Sequence, residues 1–581
     1  MSSSPNLYFE YADEQGNKNP LLFKEPLKVI QTFHLDELED VFAELEKATQ
    51  QGYYVAGYIA YEAAPAFDAA YRVSEQGNEM PLAWFGVFEE PTNREPGKIE
   101  DTFNASEWRI ETDYESYQSD MQRIRKGIEK GDTYQINYTT RMRAQLEGEP
   151  YAFYQHLSRN QNSSYCAFLD IGDYSILSAS PELFFRKKGN VITTKPMKGT
   201  SKRGRWFEED QTLAEDLYQS EKNRAENLMI VDLLRNDLGR MAKSGSVKVP
   251  RLFEIETYPT VHQMTSTIQG EIDEDKTIFD WFHALFPCGS ITGAPKIRTM
   301  EYIAELETSP REVYCGAIGY ITPEKDAVFN VPIRTVWVDN SSHQAEYGTG
   351  GGVTWDSTSK GEYEELQTKS KLLTEDRPSF QLLETMKLEN QTYPLGSRHL
   401  NRLSQSAIYF GYELDKCSIE QELNHIAKDY PNGEYKVRLL VSDDGTFETQ
   451  ISEIQNKHEY MEAVLAKQSV DSSDPFLYHK TTHRAVYNNH KTLELSDPTS
   501  VLLWNEREEI TEFIIGNVVL EINGKLLTPP VNSGLLAGTY RGNLLDRGVI
   551  EERVLYKNDI KICNKAWMIN AVRGWVEVTL K

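Results

Sequence analysis

At 581 residues the chain is too long for one compact core, so two or more domains are expected. Hydrophobic residues make up 39% and charged residues 26%, with 32 Tyr and 23 Phe, a composition that buries large cores and excludes a disordered chain. The formal net charge of −27 argues against a nucleic-acid or anionic-membrane surface, although a local cluster of Lys and Arg can still hold an anionic substrate.

The cysteines, Cys166, Cys288, Cys315, Cys417 and Cys563, form no C-x-x-C pair and are odd in number. That usage fits a reduced, cytoplasmic compartment and argues against metal-thiolate sites. Met1 to Tyr11 has neither the basic nor the apolar region of a signal peptide, and no stretch reaches the ~18 apolar residues of a membrane span.

In chain order, short strands are expected at 53–61, 165–169, 174–178, 183–186 and 328–338. Helices are expected at 117–131, with Met121, Ile124 and Ile128 on one face, at 221–242, with Met229, Ile230, Leu233 and Leu234 apolar, and at 361–373. The boundary falls at Thr374 to Pro378, where Pro378 disfavours helix at Arg377, giving a first domain over 1–373, a linker over 374–379 and a second domain over 380–581. The second segment reads as strand 380–386, helix 397–411, strand 435–442 and strand 513–522, ended by Asn523-Gly524. Both segments mix helix and strand, an α+β class.

Lys198, in Thr194-Lys195-Pro196-Met197-Lys198-Gly199-Thr200, and Glu182, in Ser180-Pro181-Glu182, are a candidate nucleophile and acid. Taken alone, Lys198 is a solvated loop cation. A helix over 361–373 puts Glu362, Glu365 and Lys369 on one face. Together with Glu226 these are hard oxygen ligands that suit Mg²⁺. By spacing alone, Glu365–Lys369 is a surface pair worth about 0.2–0.5 kcal/mol. Gly348-Thr349-Gly350-Gly351-Gly352 is expected as a loop whose backbone N–H groups can approach an anion, and Cys288 to Lys296 as a loop entering a helix.

Jointly these runs are recognisable. Gly131 to Asn137, Ser180 to Phe184, Arg224 to Arg240, Pro287 to Lys296, Ile333-Arg334-Thr335 and the glycine run with its Glu/Lys helix resemble the chorismate-utilising family of anthranilate, isochorismate and aminodeoxychorismate synthases. The resemblance implies a β-sandwich core with surrounding helices. It implies that Glu226 and Glu365, with Glu362 nearby, hold Mg²⁺. Lys369, Arg334, Tyr314 and the Gly351-Gly352 backbone would hold the substrate carboxylates, and His262 and Ser290 would fall at other site positions. Glu182 would help the ring hydroxyl leave. Lys198 stands where the anthranilate and isochorismate branches carry alanine and the aminodeoxychorismate branch carries lysine. There it would attack C2 of chorismate, and ammonia would then add at C4. Lys195, Lys202 or Arg203 are candidates for depressing its pKa. No Gly-x-Cys-x-Gly elbow surrounds any cysteine, so ammonia is expected from solution or from a separate glutaminase subunit.

In the second segment, Lys480 in Tyr478-His479-Lys480-Thr481-Thr482 is followed by Glu512 and by Gly538-Thr539-Tyr540-Arg541, and preceded by Arg402. Taken singly these are a surface lysine, an edge glutamate and a helix cap. Together they resemble the fold-type IV pyridoxal phosphate enzymes, a two-subdomain fold that includes D-amino acid and branched-chain aminotransferases and aminodeoxychorismate lyase. The resemblance implies Lys480 as the Schiff-base lysine, Glu512 as partner of the pyridinium nitrogen, and Arg402, Gly538, Thr539 and Tyr540 around the phosphate. Tyr540 departs from the small hydroxyl residue often found there, and a backbone N–H could serve instead. The expectation is a bifunctional enzyme that converts chorismate and ammonia to 4-aminobenzoate for folate. The alternatives are a fusion to an aminotransferase of other specificity, or a silent module that binds a glutaminase. A homodimer through the second domain is compatible with this reading.

Overall fold

The computed structural model describes residues 5–74, 78–93, 96, 102–454, 460–490 and 499–581. Met1 to Ser4, part of the segment read for a signal peptide, lie outside the described residues. The chain forms two compact units. One comprises Met1–Lys202 and Ala214–Arg377; the other comprises Arg203–Leu213 and Pro378–Lys581. No described helix is long and apolar enough to cross a membrane.

The first unit is a sandwich of two antiparallel sheets. One runs, in spatial order, Gly293–Ala294, Gln135–Gly148, Gln344–Val353, Thr335–Asp339, Tyr174–Ser180, Tyr165–Asp170, Asn6–Ala12 and Lys18–Lys24. The other runs Met197–Lys202, Val261–Glu271, Val191–Lys195, Leu183–Lys188, Ala327–Asn330, Ala317–Ile321, Tyr54–Ile59, Ala83–Phe88 and Lys28–Thr32. Alternation along the strands turns Leu7, Phe9, Tyr58, Trp84, Leu169 and Ile318 into the space between the sheets. Each such side chain, fully buried, contributes roughly 1.5–3 kcal/mol of transfer free energy. Helices Leu38–Gln50, Glu221–Gly239 and Ile278–Leu285 cover the outer face of the second sheet, and Pro150–Gln161 covers the first.

The expected helices are present as Tyr114–Glu129, Glu221–Gly239 and Ser359–Ser370. Each starts on a side-chain cap, Asp113, Ser220 or Thr358, that accepts an otherwise orphan N–H. Two expectations for this unit are corrected. The run 328–338 is two strands, Ala327–Asn330 and Thr335–Asp339, in different sheets. Pro332 has no N–H for a ladder, and Arg334 takes a positive φ of 55°, so the chain leaves one sheet and enters the other. The glycine run at 348–352 is no loop; it lies inside strand Gln344–Val353, paired residue for residue with 137–141.

The second unit has two subdomains. A three-stranded antiparallel sheet, Leu382–Glu389, Glu434–Val441 and Phe447–Glu453, is backed by helices Gly396–Phe410 and Lys416–Asp429. A larger sheet runs Ile510–Phe513, Thr499–Trp504, Tyr460–Leu465, Gly574–Leu580, Lys565–Asn570, Gly516–Ile522, Lys525–Thr528 and Glu551–Glu552. Ile510–Phe513 also pairs with Gly516–Ile522, so part of this sheet closes on itself. That hairpin corrects the single strand expected over 513–522: the chain turns at Ile514-Ile515 and folds back. Residues 203–213 pack within this unit. Arg203 pairs with Asp210 at 2.7 Å and lies over the Tyr409 ring, and Trp206 packs on Tyr478.

Candidate active sites

A cavity of about 550 Å³ opens at one end of the sandwich. Lys198 reaches it from strand Met197–Lys202, whose pairing with Val261–Glu271 slips between Met197 and Thr200. Such an irregularity re-aims a side chain. Gly199 allows it with a φ of 96°, and a Cβ there would meet the Asn223 Cβ at 3.1 Å. Asn227 of the neighbouring helix donates to the carbonyls of Lys198 and Met264 at 3.2 and 3.4 Å and accepts from the Ser266 hydroxyl at 2.6 Å, which fixes the backbone under the amine.

Burial pushes the Lys198 ammonium pKa down; Glu182 opposes this and Lys369 adds to it. Lys369 is the cationic neighbour that matters. Lys195, expected in that role, pairs with Glu256, and Arg203 pairs with Asp210 in the other unit. Glu182 is 3% exposed and burial raises its carboxyl to about 7, with Ser290 and Lys198 pulling the other way. Among the described residues its Oε1 has no hydrogen-bond partner.

Glu226, Glu362 and Glu365 line the same cavity. Burial raises the carboxyls of Glu226 and Glu362, and the nearby carboxylates add to both. Glu365 resists burial because Lys369, 2.7 Å away, pulls it down. No set of three or more His, Cys, Asp or Glu among the described residues is gathered to hold a metal as it stands. Lys369 also donates to the Gly350 carbonyl at 2.7 Å, and its own carbonyl, at the end of its helix, accepts from Arg334 and Tyr347 at 2.7 and 3.1 Å.

The glycines are explained by crowding. A Cβ at Gly348 would lie 2.3 Å from the Tyr314 ring, one at Gly350 2.5 Å from the Thr139 methyl, and one at Gly352 2.1 Å from the Gln135 amide nitrogen and 3.2 Å from the Lys198 amine. Ser290, Tyr314, Arg334, Gly351 and Gly352 all line the cavity. His262 does not: it is fully buried, in register with Ser201, with its Nδ1 3.1 Å from the Thr257 hydroxyl. Gln135 and Asn137, which lie in the 131–137 run but were given no role, line the cavity too, as does Gln263. The alternation Gln135-Ile136-Asn137-Tyr138 is the signal, since it sets two amides on one strand face.

In the second unit Lys480 is half-buried in the connection after Tyr478, and its carbonyl accepts from the Leu383 N–H at 2.9 Å. Burial, then the Arg402 charge, lower its amine to about 8. Glu512 is 3% exposed and burial raises it to about 7. Three groups donate to it: the Tyr487 hydroxyl at 2.8 Å, the Asn517 amide at 3.1 Å and the Leu536 N–H at 3.2 Å. Arg402 grips Glu384 through two bonds of 2.9 and 2.7 Å and donates to the Ala537 carbonyl at 3.1 Å. Burial would raise Glu384, but Arg402 and His399 hold it down at about 2. His399 bridges Glu384 to the Thr539 hydroxyl. Gly538 caps helix Thr539–Asp546, and a Cβ there would lie 2.0 Å from the Asn517 side-chain oxygen. Tyr540 borders a separate cavity of about 370 Å³ beside His399 and Asn543.

A sandwich whose end carries this lysine, these carboxylates and these glycines defines a class. Residues 4–375 match the chorismate binding enzyme family, and the chain belongs to it. Residues 381–580 match the class IV amino-transferases, a fold that implies pyridoxal phosphate. The chain is 43% identical over 250 residues to aminodeoxychorismate synthase component 1 of Bacillus subtilis, covering 43% of this chain and 53% of that one. It is 38% identical over 315 residues to the protein of the same name from Salmonella typhimurium, covering 54% and 64%. The chain thus spans between about half and two-thirds of these relatives. The crystal structure of anthranilate synthase component I from Streptococcus pneumoniae is 27% identical with a TM-score of 0.53, covering 64% of this chain and 93% of that one.

Proposed function

We propose that the chain makes 4-aminobenzoate, a folate precursor, from chorismate and ammonia in the cytoplasm, with residues 1–373 aminating the ring and residues 380–581 splitting the product. The observation that carries this reading is the pairing in one cavity of an amine whose pKa is lowered with an acid raised to about 7. Neutral Lys198 adds to C2 as the ring double bonds shift and the C4 hydroxyl leaves as water, protonated by Glu182. Ammonia then adds at C4, the double bonds return and the Lys198 amine departs, leaving 4-amino-4-deoxychorismate. Arg334, Tyr314 and the N–H groups of Gly351 and Gly352 hold the substrate carboxylates. A separate glutaminase supplies the ammonia, as the name "component 1" of the relatives suggests.

Glu226, Glu362 and Glu365 are the residues that would hold Mg²⁺. Three carboxylates line one cavity; burial raises two of them and the neighbouring carboxylates add to it, a cost that a hard divalent cation relieves. Bound there, Mg²⁺ would anchor the ring carboxylate of chorismate.

The second site fits pyridoxal phosphate: Lys480 is the weakly basic amine, Glu512 a carboxylate held by three donors, and Arg402 with the helix N-terminus at Gly538-Thr539 the anion site. The cofactor would supply an electron sink for the electron pair left at C4 when its C–H bond breaks. Lys480 would take the C4 proton and Glu512 would hold a proton on the pyridine nitrogen; the C3–O bond would then break, so that enolpyruvate leaves as the ring aromatises and gains a proton at its methylene carbon to become pyruvate.

The test is product analysis of the full chain with chorismate, ammonium, Mg²⁺ and pyridoxal phosphate. The expected product is 4-aminobenzoate with equimolar pyruvate, and Lys480→Ala should stop at the amino intermediate. Accumulation of that intermediate by the wild type would remove the lyase assignment and leave an aminotransferase of other specificity. Anthranilate or isochorismate as product would overturn the first stage.

A further inference from the structure

Arg311 lies outside the cavity, 1% exposed, and takes no part in the steps above. Its guanidinium is nonetheless bonded to pieces of the cavity wall that are far apart in sequence. Nη1 donates to the Ile291 carbonyl at 2.9 Å and Nη2 to the Asn137 carbonyl at 2.8 Å. Nε and Nη2 also hold the Glu307 carboxylate at 3.0 and 2.6 Å, and the group lies over the Tyr61 ring at 4.5 Å. Ile291 adjoins Ser290, and Asn137 stands opposite Gly352 in the strand register. Arg311 itself starts the turn that delivers Tyr314.

The backbone of Arg311 is fixed as firmly as its side chain. Glu62, 4% exposed, accepts the N–H groups of Arg311 and Glu312 at 2.8 and 2.9 Å, one on each oxygen, and the Glu312 carbonyl accepts from the Tyr61 N–H at 2.8 Å. The planar fork of a guanidinium is the side chain that can serve two carbonyls and a carboxylate at once; a lysine ammonium, a point donor on a flexible stem, cannot span them.

We infer that Arg311 is a positioning residue for the first-unit reaction: it clamps the Ser290, Asn137–Gly352 and Tyr314 segments into one wall, and Glu62 anchors the clamp. The inference rests on the reading of this cavity as the chorismate site. A displacement of about 1 Å at the reacting groups is worth about 100-fold in rate.

The experiment uses the full chain carrying Arg311→Lys, which keeps the charge and loses the fork. Chorismate kcat/KM should fall by about 100-fold. Amide exchange should rise at least about tenfold in 135–139 and 289–294, while the rest of the first unit and the visible cofactor band of the second stay as in the wild type. A kcat/KM within about twofold of wild type, unchanged exchange in those two segments, or exchange raised throughout the first unit would each overturn the proposal. If Arg311→Lys does not fold, Glu62→Gln, which loosens the anchor and leaves the fork, should give the same exchange pattern with about a tenfold loss; wild-type behaviour there overturns it equally. If the wild type itself leaves chorismate untouched, the functional reading falls, and the exchange pattern alone decides the role of Arg311.

Discussion

Glu182 and Glu512 make an instructive pair. Both are buried glutamates raised to about 7, and each is coupled to a lysine whose amine is weakened. Their hydrogen bonds separate them. Among the described residues one Glu182 oxygen has no donor, and burial outweighs the pull of Ser290 and Lys198 toward the charged form, so the group is suited to carrying a proton to a leaving hydroxyl. Glu512 accepts from three donors, each favouring the carboxylate, and is suited to pairing with a cation. The same residue type, raised by burial in both places, is thus suited to acid work in one site and to pairing with a cation in the other. The lysines differ in kind as well. Lys198 is held on a sheet with its carbonyl pinned by Asn227, whereas Lys480 stands on a connection between elements. A nucleophile with one line of attack suits the first mounting, and an amine that must leave and return suits the second.

Three variants test the contrast, the largest effect first. Lys198→Ala should lower 4-aminobenzoate formation by about 1,000-fold or more while calorimetric chorismate affinity stays within about threefold and the second site keeps its visible band. Equal turnover would erase the distinction between the two lysines. Glu182→Gln should cost about 100-fold or more in kcat, since an amide keeps the shape and donates no acid proton. The wild-type rate should fall as the pH climbs past about 7, where Glu182 loses its proton, and a pH–rate profile of Glu182→Gln should lack that limb. A retained limb assigns it elsewhere. The smallest effect concerns stability. The folded-state amine of Lys480, at about 8, lies below its unfolded value, so the unfolded chain holds more protons between the two and stability rises with pH across that window. Cofactor-free Lys480→Met should therefore gain on the order of 1 kcal/mol at neutral pH in denaturant titrations, and the gain should vanish above about pH 10. A gain that is flat with pH would show that packing, not charge, is responsible.

Much of the layout was legible in the residues. The apolar spacing of the helices gave the elements, and the motif order gave two candidate sites of different kind. The failures have physical causes. Glycines suggest a loop until the close approach of Tyr314, Thr139 and Gln135 is seen, a long-range fact that makes 348–352 a strand. The split at 331–334 depends on a non-glycine residue at positive φ, which no local pattern favours. Burial is the main weakening of Lys198, and the charge that adds to it, Lys369, lies far away in sequence, while the near neighbours Lys195 and Arg203 are spoken for by Glu256 and Asp210. Arg311 carries no motif of its own; its role lies in carbonyls contributed by distant segments.

The allocation of residues 203–213 constrains how such a fusion can be undone. Those residues belong to the second unit although the first resumes after them: Arg203 with Asp210 and Tyr409, the Gly204 carbonyl with the Tyr409 hydroxyl, and Trp206 with Tyr478 two positions before Lys480. A gene split at codon 378 would yield a downstream polypeptide missing a strip of its own surface and an upstream one carrying that strip unpartnered. Re-separation into two free-standing enzymes would thus require a replacement for this strip as well as a new start site, an asymmetry that favours keeping the halves in one polypeptide.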